Sequence, residues 1–291
     1  MHYTEPVYRN PYWPSSPLLE ITRGCSYNKC KFCTMYKGVK FGPAPLDEVE
    51  EDIKEIARLF PDATRIQLLS ADPFCLPHKH LKEVLELINR YLPNIQTVTA
   101  HARVTNVMNK TVEQLKELKE LKLNEISLGT ESGDDWTLER INKGYRAKDI
   151  VEQCAKLDEA GIAYWHTFLN GVAGRSHSKE HAINSAKIYN QTNPIVVGTG
   201  GLTLFPDVEL GIEAKRGEFD PLTEREMMEE LYLFLDNLEV GERFITHHTS
   251  GANLTGKFLD IKPQVLARLR QQIDSLDEDY AALCRSMKTS L

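Results

Sequence analysis

Along roughly the first 220 residues, short runs of apolar and β-branched residues alternate with longer runs whose apolar positions recur every three or four residues. The short runs predict buried strands and the longer ones amphipathic helices. Six strands are predicted, at Leu18–Thr22, Arg65–Ser70, Ile95–Thr99, Glu125–Gly129, Ile162–Leu169 and Ile195–Thr199. Because such alternation produces parallel sheets with right-handed crossovers, we expect an α/β fold, a partial (β/α)6 TIM-like barrel.

The pattern becomes helical after about residue 217. Thr223 and Glu226 have the spacing of a capping box, and a second helical pattern runs through residues 266–283. A polar loop, residues 247–253, separates the two patterns. We therefore predict a core barrel with an N-terminal arm over residues 1–217, and a C-terminal helical extension over residues 218–291 that packs on the barrel.

Composition narrows the class of protein. The chain has 291 residues, of which 41% are hydrophobic and 26% charged, and its net charge is −7. Acidic and basic residues are interleaved without a basic stripe, which argues against a nucleic-acid partner. No apolar run approaches the roughly 20 residues of a membrane span, and the N-terminus lacks the pattern of a signal peptide. We expect a cytoplasmic protein that acts on a small molecule, away from membranes.

Residues able to bind ligands or take part in a reaction follow the predicted strands. In barrels of this kind, chemistry gathers at the C-terminal ends of the strands. Cys25–Cys33 follow the first strand, Asp72 and Cys75 the second, His101 and Arg103 the third, residues 129–133 the fourth, 170–174 the fifth and 200–201 the sixth. The sequence thus predicts a single site assembled from several loops.

A tight cysteine cluster is the most specific of these features. Of the six cysteines, Cys25, Cys30 and Cys33 share one short loop. In a reducing compartment such a cluster indicates a metal site. Three thiolates can hold three irons of a [4Fe–4S] cluster and leave the fourth iron open to a ligand. The alternative is zinc, which normally takes four nitrogen or sulfur ligands; a second cysteine pair is missing, although a distant histidine would complete such a shell.

This cysteine triplet, with the aromatic Phe32 before its last member, resembles the radical S-adenosylmethionine (SAM) superfamily. The usual spacing there is CxxxCxxC, whereas this chain has CxxxxCxxC. The resemblance implies a [4Fe–4S] cluster that binds SAM at its open iron and cleaves it reductively. The products are methionine and a 5′-deoxyadenosyl radical, which abstracts hydrogen from a substrate. It also implies flavodoxin or ferredoxin as the electron donor.

The resemblance extends over about residues 16–220. Residues 129–144 look like the fourth-strand region of the branch with oxygen-independent coproporphyrinogen dehydrogenases, Elongator-type enzymes and methylthiotransferases. Residues 170–174 are similar to the family's adenine-binding turn, and residues 70–73 occupy the place of its glycine-rich motif. The resemblance implies SAM contacts from Phe32, Asp72, Glu131, Ser132, Arg140, Gly171 and Leu204. A surface position for Arg140 and a core position for Leu204 are equally consistent with the sequence.

Substrate contacts are predicted at polar or reactive residues that the SAM site does not use. The candidates are Cys75, His101, Arg103, His248 and Asn253. The Cys75 thiol would donate hydrogen to a substrate radical, although a buried small side chain is the simpler interpretation. Two other functions remain open: a haem or cofactor carrier on the same fold, and a zinc-stabilised binding protein.

Overall fold

The computed structural model describes residues 1–4, 7–9, 13–246 and 257–287. Its strands are β1 (Leu18–Glu20), β2 (Thr22–Arg23), β3 (Gly42–Pro43), β4 (Arg65–Leu69), β5 (Thr97–Ala102), β6 (Leu123–Glu131), β7 (Ala163–Asn170), β8 (Val196–Gly201) and β9 (Arg243–Thr246). Its α-helices are α1 (Leu46–Leu59), α2 (His78–Tyr91), α3 (Val104–Met108), α4 (Val112–Glu120), α5 (Asp135–Arg140), α6 (Ala147–Ala160), α7 (Ser178–Tyr189), α8 (Glu209–Lys215), α9 (Glu224–Asn237), α10 (Phe258–Asp274) and α11 (Glu278–Ser286). Short 3₁₀ turns lie at Pro73–Cys75 and Arg175–His177.

The chain divides into two compact units. The first contains Met1–Asn28, Met35–Gly129 and Gln153–Tyr164. In it, β1 pairs with β4, β4 with β5, and β5 with β6, all in parallel. Helix α1 buries Val49, Ile53 and Ile56, which share one face because they recur every three or four residues.

The second unit contains Lys29–Thr34, Thr130–Glu152 and Trp165–Leu291. Here β7, β8 and β9 form consecutive parallel pairs. The core lies between this sheet and helices α7, α9 and α10, where the rings of Phe168 and Phe234 stack with centroids 3.9 Å apart. Stacked aromatic pairs of this kind add to the stabilisation that burial alone provides.

The predicted α/β class and all six parallel strands are confirmed, as is the Thr223–Glu226 capping box. The tail differs from the prediction in one respect, because β9 adds a seventh strand where only helices and a connecting loop were predicted. It is short and contains Phe244 and Ile245, residue types that favour strands. Closure into a barrel and a boundary at residue 217 remain predictions. None of the helices in the described residues combines the length and apolar character needed to cross a bilayer.

Candidate functional site

In the first unit, a buried carboxylate anchors the loop that carries Cys25. Asp72 is 0% exposed, and its carboxylate accepts hydrogen bonds from the Ser26 amide at 3.0 Å and from the Ser26 hydroxyl. The Asn28 amide donates to Cys25 Sγ at 3.3 Å. Burial raises the pKa of Asp72, and the two Ser26 donors oppose that effect. These hydrogen bonds therefore attach the loop to the segment after β4, and the point of attachment is Ser26, the residue next to Cys25.

Two residues of this region have left-handed backbone conformations that favour glycine. Ser70 has φ 103° and Asn28 has φ 47°. Each such conformation costs a non-glycine residue about 1–2 kcal/mol. The Ser70 hydroxyl offsets part of this cost by donating to the Gly24 carbonyl at 2.7 Å, and Asn28 Nδ2 donates to the Tyr36 carbonyl at 3.0 Å. Ser70 thus takes a glycine-like conformation at the place of the family's glycine-rich motif.

Asp72→Asn is expected to reduce cluster loading to less than half of the wild-type level. Asparagine offers one acceptor oxygen, which can hold the Ser26 amide, so the bond from the Ser26 hydroxyl must break or reverse. A hydrogen bond of this kind contributes about 0.5–1.5 kcal/mol. Labile iron and sulfide would be measured after anaerobic reconstitution, with the exposed Asp62→Asn as the control. Full loading of Asp72→Asn would show that this anchor is dispensable.

In the second unit, the segment with Cys30 and Cys33 is anchored by its backbone. The Lys31 amide donates to the Ile141 carbonyl at 3.1 Å, and the Lys31 carbonyl accepts from the Leu210 amide at 2.9 Å. Phe32 packs against the apolar cluster that contains both of these partners. The side chain of Phe32, predicted to contact SAM, therefore lines the apolar surface next to Cys33.

The carboxylate of Glu131 stands at the end of β6, as predicted. Its backbone is left-handed, with φ 63°, and such strain often marks functional sites. The Thr167 hydroxyl donates to Glu131 Oε2 at 3.2 Å. Lys143, only 3% exposed, places Nζ 3.6 Å from Glu131 Oε1. A carboxylate and an ammonium group therefore stand together at this strand end.

The two other fourth-strand candidates are engaged elsewhere. Ser132 is 0% exposed, and its hydroxyl lies 3.0 Å from His181 Nδ1 and accepts from the Asp134 amide. Arg140 Nη2 pairs with Glu213 Oε2 at 2.5 Å. Lys143 is thus a cation beside Glu131 that was not among the predicted site residues. Its only signal in the sequence is its place in the same segment, three residues after Arg140.

The two residues predicted to contact the adenine ring of SAM, Gly171 and Leu204, follow strands β7 and β8. Gly171 directly follows β7 with φ 83°, a conformation natural for glycine, and its amide donates to Glu230 Oε1 at 2.6 Å. Leu204 is partly buried against the cluster that includes Val172 and Phe219. Its packing agrees with the core interpretation, and its partial exposure leaves a surface for a ligand.

A cavity of about 490 Å³ opens in the first unit. It is lined by Ser26, Tyr27, Phe41, Pro43, Cys75, Leu76, Pro77, His80, Arg103, Thr105, Asn106 and Asn109. The Arg103 guanidinium lies over the Tyr27 ring, 3.6 Å from its centroid. Burial, reinforced by the charge of Asp72, raises the pKa of Cys75 to about 12, so its sulfur is a protonated thiol at neutral pH. Two predicted substrate residues, Cys75 and Arg103, therefore share one cavity.

Of the remaining substrate candidates, His101 is described by the structure and is not among the residues that line this cavity. His101 lies inside β5, because this strand runs three residues beyond its predicted end. Its Nε2 is 3.1 Å from Gln67 Nε2, and burial lowers the pKa of His101 to about 4. His248 and Asn253 lie outside the residues that the structure describes, and their roles remain predictions.

A sequence profile of the radical SAM superfamily matches residues 19–188, more than half of the chain. The chain belongs to the radical SAM superfamily. The match contains the three-cysteine loop, the end of β6 and the turn after β7. This superfamily uses a [4Fe–4S] cluster together with SAM.

Several known proteins resemble this radical SAM chain. The haem chaperone HemW of Bacillus subtilis is 29% identical over 165 residues, which cover 54% of this chain and 43% of HemW. The radical SAM enzyme coproporphyrinogen III oxidase (HemN) of Escherichia coli superposes with a TM-score of 0.60 at 14% identity, covering 83% of this chain and 55% of HemN. Archaeal Elp3 of Methanocaldococcus infernus gives 0.53 at 14% identity, covering 88% and 63%. The chain thus spans less than half of HemW, and the structural likenesses establish the fold alone.

The cysteines match the donor chemistry that a [4Fe–4S] cluster requires. Cys25, Cys30 and Cys33 form no disulfide, and each is partly exposed. The Asn28 amide already donates to Cys25 Sγ, a type of hydrogen bond that tunes cluster potentials. Within the described ranges, no three His, Cys, Asp or Glu side chains are gathered closely enough to hold a metal ion. The agreement between these residues and a [4Fe–4S] cluster therefore rests on the three thiol ligands and on the hydrogen bonds that anchor their loop.

Proposed function

We propose that this chain holds a [4Fe–4S] cluster on Cys25, Cys30 and Cys33 and catalyses reductive cleavage of SAM. The three thiolates would hold the cluster, which would pass one electron from a flavodoxin or ferredoxin to SAM; cleavage of the S–C5′ bond would give methionine, and hydrogen abstraction from the substrate would give 5′-deoxyadenosine. The observation that carries the proposal is the three-thiol loop inside the segment that matches the radical SAM profile.

The residues at the strand ends supply groups that suit each part of SAM. The Glu131 carboxylate is fitted to accept hydrogen bonds from ribose hydroxyls, and the Lys143 ammonium to pair with the methionyl carboxylate. Gly171, whose φ of 83° is natural for glycine, shapes the turn that we assign to the adenine ring. Phe32 and Leu204 supply apolar surface. Arg140, engaged with Glu213, and Ser132, buried against His181, position their own loops.

The cavity in the first unit is the proposed substrate site. Its apolar walls and its amide side chains suit a small molecule that carries both apolar and hydrogen-bonding groups. The Cys75 thiol, protonated at neutral pH, can give its hydrogen atom to a substrate radical. The thiyl radical left on Cys75 would then take one electron and one proton, the electron coming from the same reduced donor protein.

A cofactor carrier on the same fold is the second candidate. The likeness that favours it is to HemW, a haem chaperone, at 29% identity over 165 residues. A carrier would bind haem without consuming SAM, since a shared fold does not determine function. A zinc-stabilised binding protein would contain zinc and no labile sulfide.

Reconstituted protein mixed with SAM and dithionite is expected to form 5′-deoxyadenosine and methionine in equal amounts, as measured by liquid chromatography. Cys75→Ala is the matched control: it should retain this activity without substrate, because Cys75 is assigned to the substrate and not to the cluster. Stoichiometric haem binding without any 5′-deoxyadenosine would identify the carrier instead.

A further inference from the structure

The turn that follows β7 is held in place by helix α9. Asn170 Nδ2 donates to the Met227 carbonyl at 2.7 Å, and the Gly171 amide donates to Glu230 Oε1 at 2.6 Å. A Cβ atom on Gly171 would lie only 3.2 Å from Met227 Cε. Asn170 and Gly171 are thus hydrogen-bonded to residues of α9 that lie about one helical turn apart. The position of α9 therefore sets the position of the turn after β7.

Glu230 is an unusual residue for this task. It is 2% exposed, and its Oε2 atom is buried with no hydrogen bond of normal geometry. Burial raises the pKa of Glu230 to about 7, although the Ser178 hydroxyl and the Gly171 amide both lower it. A buried carboxyl group is costly unless it is well paired, so a residue of this kind calls for a specific reason.

Two histidines lie near the Glu230 carboxylate: His181, and His177, which directly precedes the Ser178 that bonds to Glu230. His181 Nε2 lies 3.8 Å from Glu230 Oε1, and burial lowers the pKa of His181 to about 4, which leaves the ring neutral. The charged groups that line the small cavity beside Glu230 are Arg175, Lys179, Glu226 and Glu229. Helices α10 and α11 bring Arg270 and Glu278 to other positions of α9, at Tyr232 and at the amides of Glu224 and Arg225.

We propose that Glu230 is a positioning residue that holds the Gly171 turn in its SAM-binding conformation, and that ionisation of Glu230 controls the affinity for SAM. This inference rests on the proposed function. An ionised carboxylate accepts a charge-assisted hydrogen bond, roughly twice as strong as a neutral one. Protonation of Glu230 therefore weakens the bond to the Gly171 amide and loosens the turn. The affinity for SAM should rise as the pH increases through about 7.

The first test is the pH dependence of SAM binding, measured by calorimetry on anaerobically reconstituted protein between about pH 6 and pH 8.5. The wild-type dissociation constant should fall about fivefold over this range, a factor that corresponds to about 1 kcal/mol. Glu230→Gln should bind with the weak affinity of acidic wild-type protein at every pH. Glu229→Gln, an exposed neighbour on the same helix, should retain the wild-type profile.

The second test needs no SAM. Hydrogen exchange of the peptide containing residues 170–174 should be faster in Glu230→Gln than in the wild type, after correction for intrinsic rates. The folded protein binds a proton on Glu230 more tightly than the unfolded chain does, so the stability that this proton adds is lost as the pH rises through about 7. At pH 8.5 the buried Glu230 is ionised at a cost in stability that glutamine avoids, so Glu230→Gln should also melt at a higher temperature there. Higher stability combined with weaker SAM binding separates positioning from a purely structural role.

A flat wild-type pH profile, or an unchanged profile in Glu230→Gln, would overturn the assignment while the proposed function stands. The wild-type profile decides this even if the variant does not fold. Failure of the wild type to load a cluster or bind SAM at any pH would instead refute the proposed function. The exchange rates of residues 170–174 would then still show whether Glu230 holds the turn.

Discussion

Replacing Cys25, Cys30 or Cys33 with alanine is expected to abolish the iron–sulfur cluster. Wild-type protein reconstituted under anaerobic conditions should contain about four irons and four labile sulfides. In the proposed site each cysteine would supply the thiolate for one iron, and no other cysteine lies in the loop to replace it. The absorbance of the cluster and the formation of 5′-deoxyadenosine should disappear together, since electron delivery to SAM requires the cluster.

Cys284→Ala is the matched control for this series. Cys284 is partly exposed on α11, far along the chain from the loop, so its replacement should leave iron and sulfide at wild-type levels. One equivalent of zinc without labile sulfide in the wild-type protein would refute the cluster assignment. It would favour the zinc-stabilised alternative.

Lys143→Met is expected to weaken SAM binding about 10- to 100-fold, whereas Arg140→Met should change it less than about threefold. Lys143 stands beside the Glu131 carboxylate at a buried position, where a charged hydrogen bond to ligand is strong. Arg140 already pairs with Glu213 and donates to the Glu218 carbonyl. Dissociation constants for SAM would be measured on reconstituted protein with equal cluster content.

Glu131→Ala completes this comparison. It should also weaken SAM binding without removing the cluster, because Glu131 lies on β6 and not in the cysteine loop. A larger loss in Arg140→Met than in Lys143→Met would restore the assignment made from the sequence. Unchanged SAM affinity in Glu131→Ala would mean that the end of β6 does not contact SAM.

The strands and the cysteine loop could be predicted from the sequence because their signals are local. Buried parallel strands are short apolar runs between helical patterns, and three cysteines in one loop need no tertiary information to suggest a metal. The place of Glu131 close to the end of the fourth strand was also predicted, because the motif there resembles a known family, and its contact with SAM stays a prediction. In each case the residues that carry the signal are neighbours in the chain.

Several features depended instead on contacts between distant segments. The contact between Asp72 and SAM stays a prediction, and only folding shows that the Asp72 carboxylate accepts hydrogen bonds from Ser26. Arg140 and Lys143 are both cations on one short segment, and only the position of Glu213 shows which of them is engaged elsewhere. Strand β9 gives a short signal inside a helical region, and pairing with β8 stabilises it. The role of a charged or hydrogen-bonding side chain depends on which group lies next to it in the folded protein.

The sequence by itself determined the α/β class, the six parallel strands and the three cysteines of the radical SAM loop, since apolar periodicity and residue spacing are properties of the chain. The tertiary structure alone decided that Lys143 accompanies Glu131, that Cys75 and Arg103 share a cavity, and that Glu230 holds the Gly171 turn. Glu230 lies 59 residues from Gly171 along the chain. No local pattern encodes such a contact, because it forms only when α9 packs beside the end of β7.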